Sequence, residues 1–178
     1  MIRRLITRLA RFRAQEEGMT SVEFAVGFPM VFFLFLTAMD LGIMSTKAVI
    51  LENAVDQTIR ELRLGKLQAT SSKPLKDKIC QLAPILDDCN ENIAIELIPI
   101  NTAVWDLPTN DSQCVDRDAK LSPVLGFNVG RQNQIMLIRV CVIVEPTFKT
   151  IGIGEEIDKD NGGGFGMIAV SAFVNEPK

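Results

Sequence analysis

The chain has 178 residues, with 19 Lys and Arg against 22 Asp and Glu for a formal net charge of -3, and it contains no histidine. That balance argues against a nucleic-acid-binding surface, which shows itself as a basic patch. Without imidazole, and without a phosphate-cradling glycine loop after a strand, catalysis lacks its usual groups, and no enzyme activity is expected.

The first 18 residues carry Arg3, Arg4, Arg8, Arg11 and Arg13 against Glu16 and Glu17, a net charge of +3. Arginines ahead of a first apolar helix hold that end in the cytoplasm and send everything after Leu41 across the membrane. Without this leader the chain carries -6, because 14 basic and 20 acidic side chains remain. From Phe24 to Met39 no side chain ionises, and Phe32-Phe33-Leu34-Phe35-Leu36 is the most apolar stretch. A membrane helix is predicted here. The run alone rises only about 24 Å against a hydrocarbon core of about 30 Å, and starting the helix at Met19 lengthens it to about 31 Å. Glu23 then falls at the bilayer edge. A lone acid costs about 2.5–3.5 kcal/mol at mid-membrane and less near the interface, so a positive partner is expected for it. Pro29 removes one backbone hydrogen bond and is predicted to kink or loosen the helix over residues 25–29.

A secretory signal would be followed by small residues at a cleavage site, and the sequence Asp40-Leu41-Gly42-Ile43-Met44-Ser45 continues the helical apolar spacing instead. The order Gly18-Met19-Thr20-Ser21-Val22-Glu23-Phe24-Ala25, then Pro29, with Asp40-Leu41-Gly42 at the far end, resembles the amino-terminal region of TadE-like pseudopilins. These are minor pilin-like subunits of the tight-adherence (Tad/Flp) branch of type IV pilus machines. The likeness covers about the first 50 residues, and the closing Ser171-Ala172-Phe173-Val174-Asn175-Glu176-Pro177 is similar to family carboxyl ends. The resemblance implies cleavage by a prepilin peptidase between Gly18 and Met19, leaving 160 of the 178 residues. It also implies an assembly segment containing Glu23, Phe24 and Pro29, in which the Glu23 carboxylate meets the freed amino terminus of its own chain or of a neighbour. Such a buried pair adds little net stability but enforces register, since a shifted helix leaves two uncompensated charges.

The implied partners are the prepilin peptidase, other pilin or pseudopilin subunits in a hetero-oligomer, and inner-membrane lipid, with no nucleic acid. The implied place is the bacterial inner membrane, single-pass, with the carboxyl-terminal domain periplasmic or extracellular as part of a pilus. The implied function is that of a minor pseudopilin in pilus biogenesis and surface adhesion. The alternative is an unprocessed single-pass anchor for a periplasmic binding module, in which Glu23 snorkels to the headgroups.

Beyond Asp40 the pattern becomes amphipathic. Ala48, Leu51, Val55, Ile59 and Leu62 recur at spacings of three and four, with Lys47, Glu52, Asp56, Gln57, Arg60 and Glu61 on the other face. One helix from about Thr20 to Leu64 is predicted, with Gly65 as its stop and Ser71-Ser72-Lys73-Pro74 as a linker. A short helix over Leu75 to Leu86 is interrupted by Pro84. Strands are predicted at Ile93–Ile98, ended by Pro99, at Ile135–Val144, whose continuous apolarity marks a central strand, and at Met167–Val174. The fold class is therefore α+β and pilin-like: a long N-terminal helix, half membrane and half amphipathic, packed on a small antiparallel sheet with hairpin-scale connections. By residue the divisions are 1–18 leader, 19–44 transmembrane and assembly helix, 45–66 amphipathic continuation, and 67–178 exported domain.

Cys80, Cys89, Cys114 and Cys141 all fall in the exported part, and an even count in an oxidising compartment points to two disulfides. Three connectivities exist, and the short separation across Pro84 favours Cys80 with Cys89, leaving Cys114 with Cys141. Zinc would need tighter paired spacing, so neither metal nor cofactor is expected. Glu155, Glu156, Asp158 and Asp160 beside Asn161 and Gly162 offer oxygen ligands but lack the alternate-position order of a calcium loop, which favours a solvated loop. Trp105 reads as a small-core residue or a partner contact. Arg139 either pairs with Glu96 across the sheet or points to water from an edge. The carboxylate pairs Asp87-Asp88 and Glu155-Glu156 are adjacent in sequence, which in extended chain turns their side chains apart.

Overall fold

The computed structural model describes residues 19–68, 70–104, 114–117, 125–149, 154, 157 and 163–176, with Met19 and Thr20 described by backbone alone. Residues 1–18, among them Gly18 and the five arginines, Trp105 and the acidic residues Glu155, Glu156, Asp158 and Asp160 lie outside the described residues.

Helix α1 runs from Met19 to Arg63, 45 residues without a break at Pro29, a length of about 67 Å. Its end is built by glycine. Gly65 adopts a φ of 67°, its N–H donates to the Leu62 carbonyl at 3.1 Å, and the Lys66 N–H donates to the Glu61 carbonyl at 3.0 Å. This pair of bonds satisfies carbonyls that the last turn leaves open, in a conformation that costs a residue with a Cβ more than it costs glycine.

Helix α2, Lys73–Leu82, begins two residues earlier than the linker reading allowed, with Pro74 in its first turn. Proline is tolerated there because its missing N–H has no helical partner in any case. The helix ends before Pro84, whose ring disfavours helical backbone at Ala83. A single turn, α3, follows at Cys89–Asn92.

Strands β1 (Ile93–Pro99), β2 (Ile135–Val144) and β3 (Phe165–Val174) form an antiparallel sheet in the order β1-β2-β3. The fold is α+β, and β2 is central. The connections are not hairpin-scale: residues 100–134 join β1 to β2, and residues 145–164 join β2 to β3. The reason lies in what the first connection does. It returns along β1, where the Leu97 N–H donates to the Gly126 carbonyl at 2.9 Å and the Asn128 N–H to the Leu97 carbonyl at 2.8 Å. A strand edge that would otherwise present open backbone groups is thereby covered.

Alternation along the strands sends one row inward. Ile93, Ile95 and Leu97, Met136, Ile138, Val140 and Val142, and Met167, Ala169 and Phe173 meet Leu51, Ala54, Val55 and Ile59 of α1 and Leu75 and Ile79 of α2 in one buried cluster. Helix α1 covers the β3 side of the sheet and packs on α2. Ile138 is fully buried on the central strand, so Ile138→Ala should lower stability by about 2–5 kcal/mol. Urea titration checks this, and the midpoint should fall with an unchanged slope.

Candidate assembly and membrane interface

The two halves of α1 differ in what they face. From Ser21 to Met39 nearly every side chain is exposed, Phe24 at 68% and Leu34 at 67% among them. Those 19 residues span about 28 Å, close to the hydrocarbon thickness of a bilayer. Mean hydropathy here reaches 2.0, and among the described residues this is the one helix long and apolar enough to cross a membrane. After Asp40 the stripe Leu51, Ala54, Val55 and Ile59 is buried against the α+β domain, the head, while Leu41 and Val49 on the other faces stay exposed.

Within the exposed half the side chains sort by face. Phe24, Phe28 and Phe32 stack ring on ring, with centroids 5.2 and 5.6 Å apart, as residues four apart on a helix should. At about 100° per residue the centre of this ladder lies about 140° around the helix from Glu23. Glu23 is exposed and has no ion-pair partner among the described residues. Pro29, with Met30, Phe33 and Leu34, borders a shallow apolar recess of about 350 Å³. Glu23, Phe24 and Pro29 thus sit on one helix but on different sides of it. Met19 is the first described residue of that helix.

The head is braced by covalent and ionic contacts. Cys80 bonds to Cys89, joining α2 to α3, and Cys114 bonds to Cys141, pinning the first connection to the outer face of β2. No cysteine is free. Gly166 makes room for the second bridge, since a Cβ there would sit 2.6 Å from the Cys114 sulfur. A glycine inside a strand is the sequence signal for such a close approach. The register sets Glu96 opposite Arg139, and the two side chains form a largely buried ion pair. Arg139 therefore pairs across the sheet and is not an edge residue.

Lys76 donates to the Ile93 carbonyl at 2.7 Å, and partial burial pushes its ammonium below the usual lysine range. Glu145 pairs with Lys149 at 2.7 Å and Arg117 at 3.1 Å, and hydrogen bonds from these two cations hold its carboxyl below the usual carboxylate range. No cluster of three metal-ligating side chains occurs among the described residues.

One buried charge escaped the sequence reading as a site. Asp40, the residue that closes the apolar run, is 1% exposed, and its Oδ1 accepts the Thr147 N–H at 3.1 Å. Only its position in the Asp40-Leu41-Gly42 order had marked it.

Comparison with curated proteins and comparison with solved structures return no match. Comparison with family models matches TadE-like protein over residues 18–60. The match begins at Gly18, takes in the whole exposed apolar run with Glu23, Phe24, Pro29 and Asp40, and ends in the stripe that seats α1 on the head. Residues 18–60 are thus similar to TadE-like protein, and this likeness supports an association of the chain with Tad pilus systems in general.

Proposed function

We propose that the chain is a minor pseudopilin, a structural and non-catalytic subunit of a Tad/Flp-type pilus assembly. In this reading a prepilin peptidase cuts between Gly18 and Met19, the apolar half of α1 crosses the inner membrane, and the α+β domain lies on the far side. The half-helix then leaves lipid for contacts with sister pilin subunits. Glu23 meets a freed amino terminus, and the head presents the partner-specific face in pilus biogenesis and adhesion.

The observation that carries this reading is the coincidence of the TadE-like match with the uncovered helix. A helix with an acid on one side and an aromatic ladder on another suits head-to-tail contacts between unlike surfaces, the arrangement that builds open helical assemblies. A single-pass anchor needs only apolarity.

Mass measurement of the membrane-extracted protein, made in cells with an active prepilin peptidase, tests the proposal directly. A chain beginning at Met19 is expected, and substitution of Gly18 should block the trimming. A chain that still carries residues 1–18 would favour the unprocessed anchor instead.

A further inference from the structure

Between Ser21 and Ile50, Asp40 is the one side chain of α1 that the fold buries fully, and the next is Leu51, 11 residues on. Three turns of helix, about 16 Å, separate them. The intervening side chains are half-buried or exposed. The head therefore holds α1 at two levels: a broad apolar seat from Ala48 to Leu62 whose fully buried centre is Leu51 to Ile59, and a single polar contact where the exposed apolar run ends.

That contact is long-range and specific. Asp40 Oδ1 accepts the Thr147 N–H across 107 positions of sequence, and Thr147 belongs to the connection that leads from β2 to β3. The connection is compact there. Pro146 and Gly154 are buried, and a Cβ on Gly154 would drive into the Phe148 carbonyl oxygen. The other carboxylate oxygen, Oδ2, is sealed from solvent with no hydrogen-bond partner among the described residues. A buried acceptor left open is a cost that a residue chosen only for packing would avoid. The Oδ1 bond to Thr147 gives a polar side chain a reason to be there.

We propose that Asp40 is a positioning residue, a clasp that ties the β2–β3 connection to α1 at the end of the apolar run and so makes the head a rigid extension of the helix. The apolar seat and the ion pairs of Glu61 with Lys78 and Arg63 with Glu176 all grip α1 on one side of Asp40 and leave the head free to rock about them. A second tether three turns away removes that freedom. The proposal rests on the fold and is independent of processing at Gly18 and of the pilus reading.

The test uses the full chain in detergent or nanodiscs, with two readouts of the connection: hydrogen exchange over residues 145–149, and the rate of tryptic cleavage after Lys149, which is exposed. In Asp40→Ala both should rise at least about tenfold while the amides of β2 stay protected. Asp40→Asn keeps an oxygen acceptor for the Thr147 N–H and should behave as the native chain. Thr147→Pro removes the donor from the other side and should speed cleavage after Lys149 as Asp40→Ala does.

Unchanged exchange and cleavage in Asp40→Ala would overturn the clasp. So would loss of β2 protection in that variant, because the effect would then be global. Asp40→Asn matching Asp40→Ala would also overturn it, since the charge and not the acceptor would be what matters.

Discussion

Glu23→Ala should leave the chain inserted in the membrane and remove it from pilus assemblies. If the carboxylate meets an amino terminus among packed helices, truncation leaves that ammonium buried and unpaired, a loss of about 3–5 kcal/mol. Recovery with sister pilin subunits should then fall by about two to three and a half orders of magnitude. Insertion should hold or improve, because an acid is costly in lipid and alanine is not. The Phe24, Phe28 and Phe32 ladder is on another side of the helix, so its packing should survive the change. Co-purification from solubilised membranes, scored beside the membrane-bound amount of the variant, separates the two effects. Equal recovery of variant and native protein would remove the pairing mechanism while leaving the TadE-like match untouched.

Reduction of both disulfides should produce the largest loss of stability in the head. Cys80–Cys89 closes a separation of 9 residues and Cys114–Cys141 one of 27. Chain-entropy estimates give about 2.7 kcal/mol for the shorter loop and about 3.6 kcal/mol for the longer. Together, at about 6.3 kcal/mol, they exceed the lower end of the whole stability of a small domain, about 5–15 kcal/mol. The longer bridge should matter more for a second reason. Cys141 lies on the central strand opposite Ala94 and Ile168, and its bond to Cys114 ties down the connection over residues 100–134. Thermal unfolding with and without reductant, and of a Cys114→Ala, Cys141→Ala double variant, gives the comparison. A melting temperature that reductant leaves in place would show that the apolar cluster suffices by itself.

Sequence patterns reached far in this chain where the contacts are local. The helix from Met19 to Arg63 follows from an apolar run joined to a stripe at spacings of three and four, and its end follows from Gly65. The segment Ile135–Val144 reads as a central strand because its apolarity is near-continuous, and it lies between β1 and β3. The start of α2 was misplaced because Pro74 reads as a linker residue when it is equally suited to a first helical turn. Connection lengths were misjudged for a different reason. Nothing local in residues 100–134 announces that their later part returns along β1, since the partner that holds it there, Leu97, is far away in sequence. Strand β3 starts at Phe165, two residues before the expected Met167, so Gly166 and its close approach to the Cys114 sulfur were not legible in the sequence.

By itself the sequence determined that this protein has an arginine-rich stretch over residues 3–13, an uncharged apolar run opened by Glu23, a helix that continues past it, and four cysteines in the part that follows. Each is a property of neighbouring residues, and helical and strand periodicity express neighbours directly. The pairing of Cys114 with Cys141, favoured once Cys80 was matched with Cys89, is the one formed. Only the tertiary structure decided that Arg139 meets Glu96 and that Asp40 is drawn from the end of an apolar run into a bond with Thr147. Those pairings join residues 43 and 107 positions apart. A one-dimensional pattern does not encode which distant group closes a chain loop, because that choice is made by the register of the sheet and the packing of the helix upon it.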